Sequence, residues 1–219
     1  PLTLAACLQR PRAEVALTDP GARRDVSQAL RDGLAGLRAD LSKRLPKAGI
    51  MIQIDEPMLP AILAGSLRSA SGMHRLAPLE AAEASALLAG LDPAMTLHCC
   101  AGGDVWEVAA GAGFDAIHLD LTAPDSPTLD RLGAWLDAGK TVLAGLIDTA
   151  RVDVVPAPDT LVRGVLDLTG KLRAQPGDID ARVLLAPACG LAGWSQDAAA
   201  HAMRTLTRAA ALASEALAG

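Results

Sequence analysis

Aromatic residues are nearly missing from this chain of 219 residues, which has no tyrosine, one phenylalanine and three tryptophans. Its core must therefore be packed by aliphatic side chains through close helix–strand contacts. A basic excess is missing too. With a formal net charge of −5, no positive stripe is available to neutralise phosphates, so nucleic acid is excluded and a small molecule or another protein is the expected partner. No apolar run approaches the roughly 18 residues needed to span a bilayer, so no membrane is expected. The first segment lacks a charged region followed by a long apolar stretch and does not read as a secretory signal. Four cysteines in that setting are expected to be reduced, in a cytoplasmic protein whose thiols can act as ligands.

What is present is a regular alternation of short apolar runs with longer amphipathic stretches, in a chain 51 % hydrophobic. Strands are predicted at Leu2–Ala6, Ile50–Ile54, Ala94–His98, Ala116–Leu121, Thr141–Leu146 and Val183–Ala186. Helices are predicted at about Arg23–Leu45, Met58–Ser69, Pro78–Ala89, Val105–Ala112, Pro127–Ala138, Thr160–Ala174 and Gln196–Leu217. In the first of these, Val26, Leu30, Leu34, Leu37, Leu41 and Leu45 recur at helical spacing. Gly49, Gly113 and Gly139 stand where left-handed helix C-caps are usual.

Such alternation means a parallel sheet covered by helices, in an α/β fold. An open doubly wound sheet and a (β/α)8 TIM barrel both satisfy it. No glycine-rich phosphate loop follows the first strand, which removes the main support for a nucleotide-binding open sheet. Polar residues gather instead at the C-terminal ends of strands, where barrels build their active sites. A barrel is predicted, as one domain over residues 1–219. Its six βα units fall short of eight, so the expectation is a partial barrel without the first two.

The chemistry concentrates at those strand ends. In Met95-Thr96-Leu97-His98-Cys99-Cys100, the period of two puts His98 and Cys100 on one face and Cys99 on the other. An imidazole beside a thiolate is half of a zinc site. Cys189, after the last strand, is a third candidate, and Asp120 is the best oxygen ligand. The competing reading is that an isolated buried cysteine is usually packing. Cys7 and Cys99 read as core or supporting residues, and His74 and His201 as surface or helix residues; His118, on the same strand face as Asp120, reads as a satisfied buried histidine, with orienting a ligand as the alternative. A second cluster, Ile52-Gln53-Ile54-Asp55-Glu56-Pro57, ends a strand with adjacent carboxylates. Burying both is costly unless a cation meets them, such as the amino group of an amino-acid substrate. The other reading is that Asp55 caps the next helix, with Pro57 near its first turn; the two are compatible, one per carboxylate.

These motifs, in this order, resemble the catalytic domain of cobalamin-independent methionine synthase, within the barrel superfamily it shares with uroporphyrinogen decarboxylase. The likeness rests on I-Q-I-D-E-P-x-L, on H-x-C at the next strand end, and on Cys189-Gly190-Leu191 followed by Gly193-Trp194. It extends to Pro1–Ala5, which looks like that family's opening strand. The resemblance implies a zinc-dependent S-methyltransferase that activates homocysteine as a thiolate and methylates it to methionine. Zinc would fall on His98, Cys100 and Cys189. The family's fourth ligand, a glutamate, corresponds to Asp120, one methylene shorter. The homocysteine site would fall on Asp55, with Glu56 and Gln53 beside it.

One departure bears on the methyl donor. Folate-using members carry D-x-H after the strand matching Thr141–Leu146, where this chain reads Asp148-Thr149-Ala150. Asp148 is retained as a candidate catalytic residue; the histidine is replaced by Ala150. The donor therefore stays open between methyltetrahydrofolate and another carrier such as a corrinoid protein. Two further alternatives are a different thiol acceptor and a non-catalytic relative that binds a metabolite.

Overall fold

The computed structural model describes residues 1–11, 14–91, 95–103 and 105–219, which form two compact units, Pro1–Asp115 and Ala116–Gly219. In the first unit the order is α1 (Leu2–Cys7), a 3-10 turn (Ala16–Thr18), α2 (Pro20–Arg44), β1 (Ile52–Asp55), α3 (Leu59–Leu63), α4 (Ala81–Leu88), β2 (Met95–Cys99) and α5 (Trp106–Gly111). β1 and β2 pair in parallel, with Ile52 opposite Met95 and Asp55 opposite His98. The ladder continues one step beyond, where the Glu56 N–H donates to the His98 carbonyl at 2.9 Å.

Pro1–Ala6 is not a strand. Leu2–Cys7 is helical and buries Leu2 and Ala5, three positions apart as a helix requires. An apolar run this short does not distinguish strand from buried helix by periodicity. Leucine and alanine are strong helix formers, and the tertiary contact that decides the matter is described below. The predicted first strand and its matching family strand are thereby corrected, leaving five strands among the described residues. Helix α2 starts three residues before the expected Arg23. Asp19 caps it by accepting from the Ala22 N–H at 2.9 Å, Pro20 opens its first turn, and Lys43 and Arg44 close it against the helix dipole. The predicted start of β2 at Ala94 lies outside the described residues. Every residue from Met95 to Cys99 is buried, as expected of a parallel strand covered on both faces.

In the second unit the order is β3 (Ala116–Asp120), α6 (Ser126–Asp137), β4 (Thr141–Ile147), α7 (Pro158–Leu172), α8 (Pro176–Arg182), β5 (Val183–Pro187) and α9 (Gln196–Ala218). β3 pairs with β4 and β4 with β5, all in parallel. Asp125 and Ser195 cap α6 and α9 through the N–H groups of Thr128 and Ala198. Helix α8 escapes prediction because Pro176-Gly177 reads as a turn; proline in its first turn and burial of Ile179 make it a short helix. The core packs Ile147, Leu161 and Trp194 against Ala202, Leu206 and Ala209 of α9. Small residues on α9 let it approach closely, which compensates for the scarcity of aromatics.

Within each unit, paired strands follow one another in chain order and run parallel. A doubly wound sheet reverses its strand order at a switch point, and no reversal occurs within either unit among the described residues. The fold is mixed α/β with the local architecture of a partial (β/α)8 barrel. Gly113 and Gly139 take positive φ, at 84° and 78°, and end α5 and α6 as predicted. Gly49 does not, because α2 has already ended at Arg44. Among the described residues, no helix is long and apolar enough to cross a membrane.

Candidate metal centre

In the first unit, strand alternation puts Thr96, His98 and the following Cys100 on one face of β2. Register places Gln53 and Asp55 of β1 beside Thr96 and His98 on that same face. His98 is 3 % exposed and Cys100 half-buried. Asp55 and Gln53 are exposed, and the Gln53 amide donates to the Asp55 carboxylate at 2.8 Å. Asp55 does not cap α3, whose N-cap is Met58 with no side-chain bond.

Glu56 has a different occupation from its neighbour. It is wholly buried and accepts the Leu2 N–H at 2.8 Å and the Thr3 N–H at 2.6 Å. A carboxylate at the N-terminus of α1 meets two orphan donors and the positive end of the helix dipole at once. The cation-like partner that adjacent carboxylates require is thus, for Glu56, the start of a helix. This is also the contact that makes Leu2–Cys7 helical.

Cys99 points away from His98 and is 1 % exposed. Burial, above all, pushes its thiol above the ordinary value; a backbone bond from Ala101 opposes this and the Glu56 charge adds to it. A thiol kept protonated is neither ligand nor nucleophile. Cys7, expected as a core or supporting residue, is instead exposed, its sulfur 3.8 Å from that of Met58. Iodoacetamide is therefore expected to modify Cys7 in the folded protein and to reach Cys99 only in denaturant. Peptide mass spectrometry reads the difference. His74 and His201 are exposed, as expected of surface residues.

In the second unit, Asp120 ends β3, Asp148 follows β4 by one residue and Cys189 follows β5 by two. Asp120 is exposed; its Oδ1 accepts the Thr122 N–H at 2.9 Å and the Thr122 hydroxyl at 2.7 Å. Asp148 is half-buried and accepts the Ala150 N–H at 3.0 Å. Cys189 is half-buried. The loop after β4 is anchored to the segment that follows Cys189. Trp194 Nε1 donates to the Thr149 carbonyl at 3.1 Å, and the Ser195 N–H donates to Asp153 at 2.7 Å. His118 is buried, as expected, and its partner is the Pro187 carbonyl at 2.8 Å.

One family model matches most of the chain. The model of the catalytic domain of cobalamin-independent synthase covers residues 12–212. The chain belongs to that family. A comparison with curated proteins finds no match. Membership makes this cobalamin-independent synthase domain a methyltransferase of the methionine synthase type, a transferase of methionine biosynthesis. The donors present fit a zinc ion: one imidazole and two thiols, with none of the four cysteines in a disulfide.

Proposed function

We propose that the chain is a zinc-dependent methyltransferase that methylates the thiol of homocysteine, with both units acting as one catalytic domain. What supports the reading is the chemistry of the donors at these strand ends, an imidazole in His98 and thiols in Cys100 and Cys189, in a chain of this family. Asp120 is the proposed fourth ligand. The bonds from Thr122 fall on Oδ1, so ligation through Oδ2 would keep that turn intact.

When bound, zinc supplies a Lewis acid that keeps a substrate thiol anionic near neutral pH, where a free thiol is mostly protonated. Thiolate donors leave the centre electron-rich, which suits a sulfur nucleophile better than activated water. The chain's own groups orient the substrate. Asp55, exposed at the end of β1 and steadied by Gln53, would bind the amino group of the amino acid. Glu56 is committed to α1 and is left out of that role. Asp148 is the proposed residue on the methyl-donor side. Holding thiolate and methyl carrier in line supplies much of the rate, because the bimolecular encounter becomes a positioned one.

The methyl donor is the second part of the proposal. Ala150 cannot act as an acid toward a folate leaving group, and this favours a corrinoid protein as methyl carrier. Purified protein is expected to contain about one zinc per chain by elemental analysis, the stoichiometry of a single tetrahedral site. Zinc-edge spectroscopy should gain one sulfur neighbour on adding homocysteine and none on adding coenzyme M. Protein that takes up no zinc would end this reading. A sulfur gained only with another thiol would keep the chemistry and replace the substrate.

A further inference from the structure

The turn that carries Cys189 does not continue the line of β5. The ladder between β4 and β5 shifts register between Gly145 and Ile147, so that Pro187 pairs with Ile147. The Ala188 N–H then donates to the Ile147 carbonyl at 2.9 Å. A Cβ on Gly145 would lie 2.6 Å from Ala188 Cα and 2.7 Å from the Leu119 carbonyl oxygen. The chain leaving β5 therefore folds across β4 in the space that a side chain at Gly145 would fill.

His118 takes up the other end of this crossing. It stands on β3, two strands from β5, a distance of about 9.6 Å in a regular sheet. An imidazole cannot span that, yet His118 Nε2 lies 2.8 Å from the Pro187 carbonyl, because the turn has come over Gly145 to meet it. A carbonyl only accepts, so Nε2 carries the proton and the ring is held in one tautomer. Neither the H-x-C motif nor the late cysteine calls for a histidine here.

The geometry points to His118 as a positioning residue for Cys189: through the Pro187 carbonyl it fixes where the turn delivers the Cys189 sulfur. This rests on Cys189 being a zinc ligand, as proposed above. Outer-shell partners of this kind typically change metal affinity by about 10–100-fold.

The test compares His118→Met with His118→Gln, two side chains of similar length, of which only Gln can donate to the carbonyl. Cobalt(II) serves as probe, because its thiolate absorption reports sulfur ligation directly. His118→Met is expected to bind cobalt about 10–100-fold more weakly, with weaker thiolate absorption and a melting temperature close to that of His118→Gln. His118→Gln is expected to recover most of the affinity. Equal cobalt binding by His118→Met and the wild type would overturn the proposal. So would equal losses of affinity and melting temperature in both variants, which would make His118 a packing residue only. If the wild type itself shows no thiolate–cobalt absorption, the zinc reading fails separately. Amide exchange at Ala188 then decides the positioning role: faster in His118→Met than in His118→Gln sustains it, and equal rates overturn it.

Discussion

Replacing Cys100 or Cys189 by serine is expected to strip zinc from the protein. The change removes one heavy-atom equivalent of volume at most, so the surrounding packing is preserved. The chemistry is not, because a serine hydroxyl does not ionise near neutral pH to offer an anionic ligand. Each substitution should weaken zinc by more than the roughly 10–100-fold that outer-shell changes cost, and the double variant should hold zinc only at background. Chelator competition and elemental analysis measure the loss. Cys7→Ser and Cys99→Ser are the controls. Cys7 is exposed and Cys99 faces away from His98 with its thiol held protonated, so both should keep their zinc. Full zinc occupancy in Cys100→Ser and Cys189→Ser would refute the metal assignment.

The second large effect concerns stability. Glu56→Ala is expected to lower the free energy of unfolding by about 2–6 kcal/mol, since two N–H donors lose their acceptor at roughly 1–3 kcal/mol each. Leu2 and Thr3 own those donors, so α1 should loosen first. Glu56→Gln keeps the volume and one acceptor and should fall between. Asp55→Asn, one residue away, should behave in the opposite manner. Its carboxylate is exposed, so the melting point should hold while the KM for homocysteine rises. Urea unfolding and steady-state kinetics on the two variants separate a carboxylate that builds the fold from one that binds substrate. An unchanged unfolding midpoint in Glu56→Ala would disprove the structural role.

That adjacent pair shows where reading the sequence succeeds and where it stops. Two carboxylates at a strand end announce that something positive must meet them, and this much follows from desolvation alone. Which cation meets which carboxylate depends on residues more than fifty positions away, and no local pattern carries that. The same contact explains the missed helix. Leu2–Cys7 is short, apolar and equally at home in strand or helix until Glu56 satisfies its first N–H groups. Helix α8 was missed for a local reason, the turn-like Pro176-Gly177 at its start. The five remaining strands lie within a few residues of their expected bounds, because buried parallel strands are continuous apolar runs and their neighbours are strongly periodic.

His98, Cys100, Cys189, Asp120 and Asp148 could be singled out from residue type and position at strand ends. The role of Gly145 could not, since a glycine in a strand signals only that something comes close; for His118 the sequence offered an orienting role beside that of a satisfied buried histidine, but not its partner.

The order of residues alone determined the α/β class, the strand-end location of the polar groups, and the shared face of His98 and Cys100, all consequences of short-range periodicity. Only the tertiary structure decided that Glu56 holds a helix, that Cys7 lies at the surface, and that the Cys189 turn crosses β4 to reach His118. Those outcomes depend on contacts between segments distant in the chain, and burial and hydrogen-bond satisfaction are settled only once the segments pack.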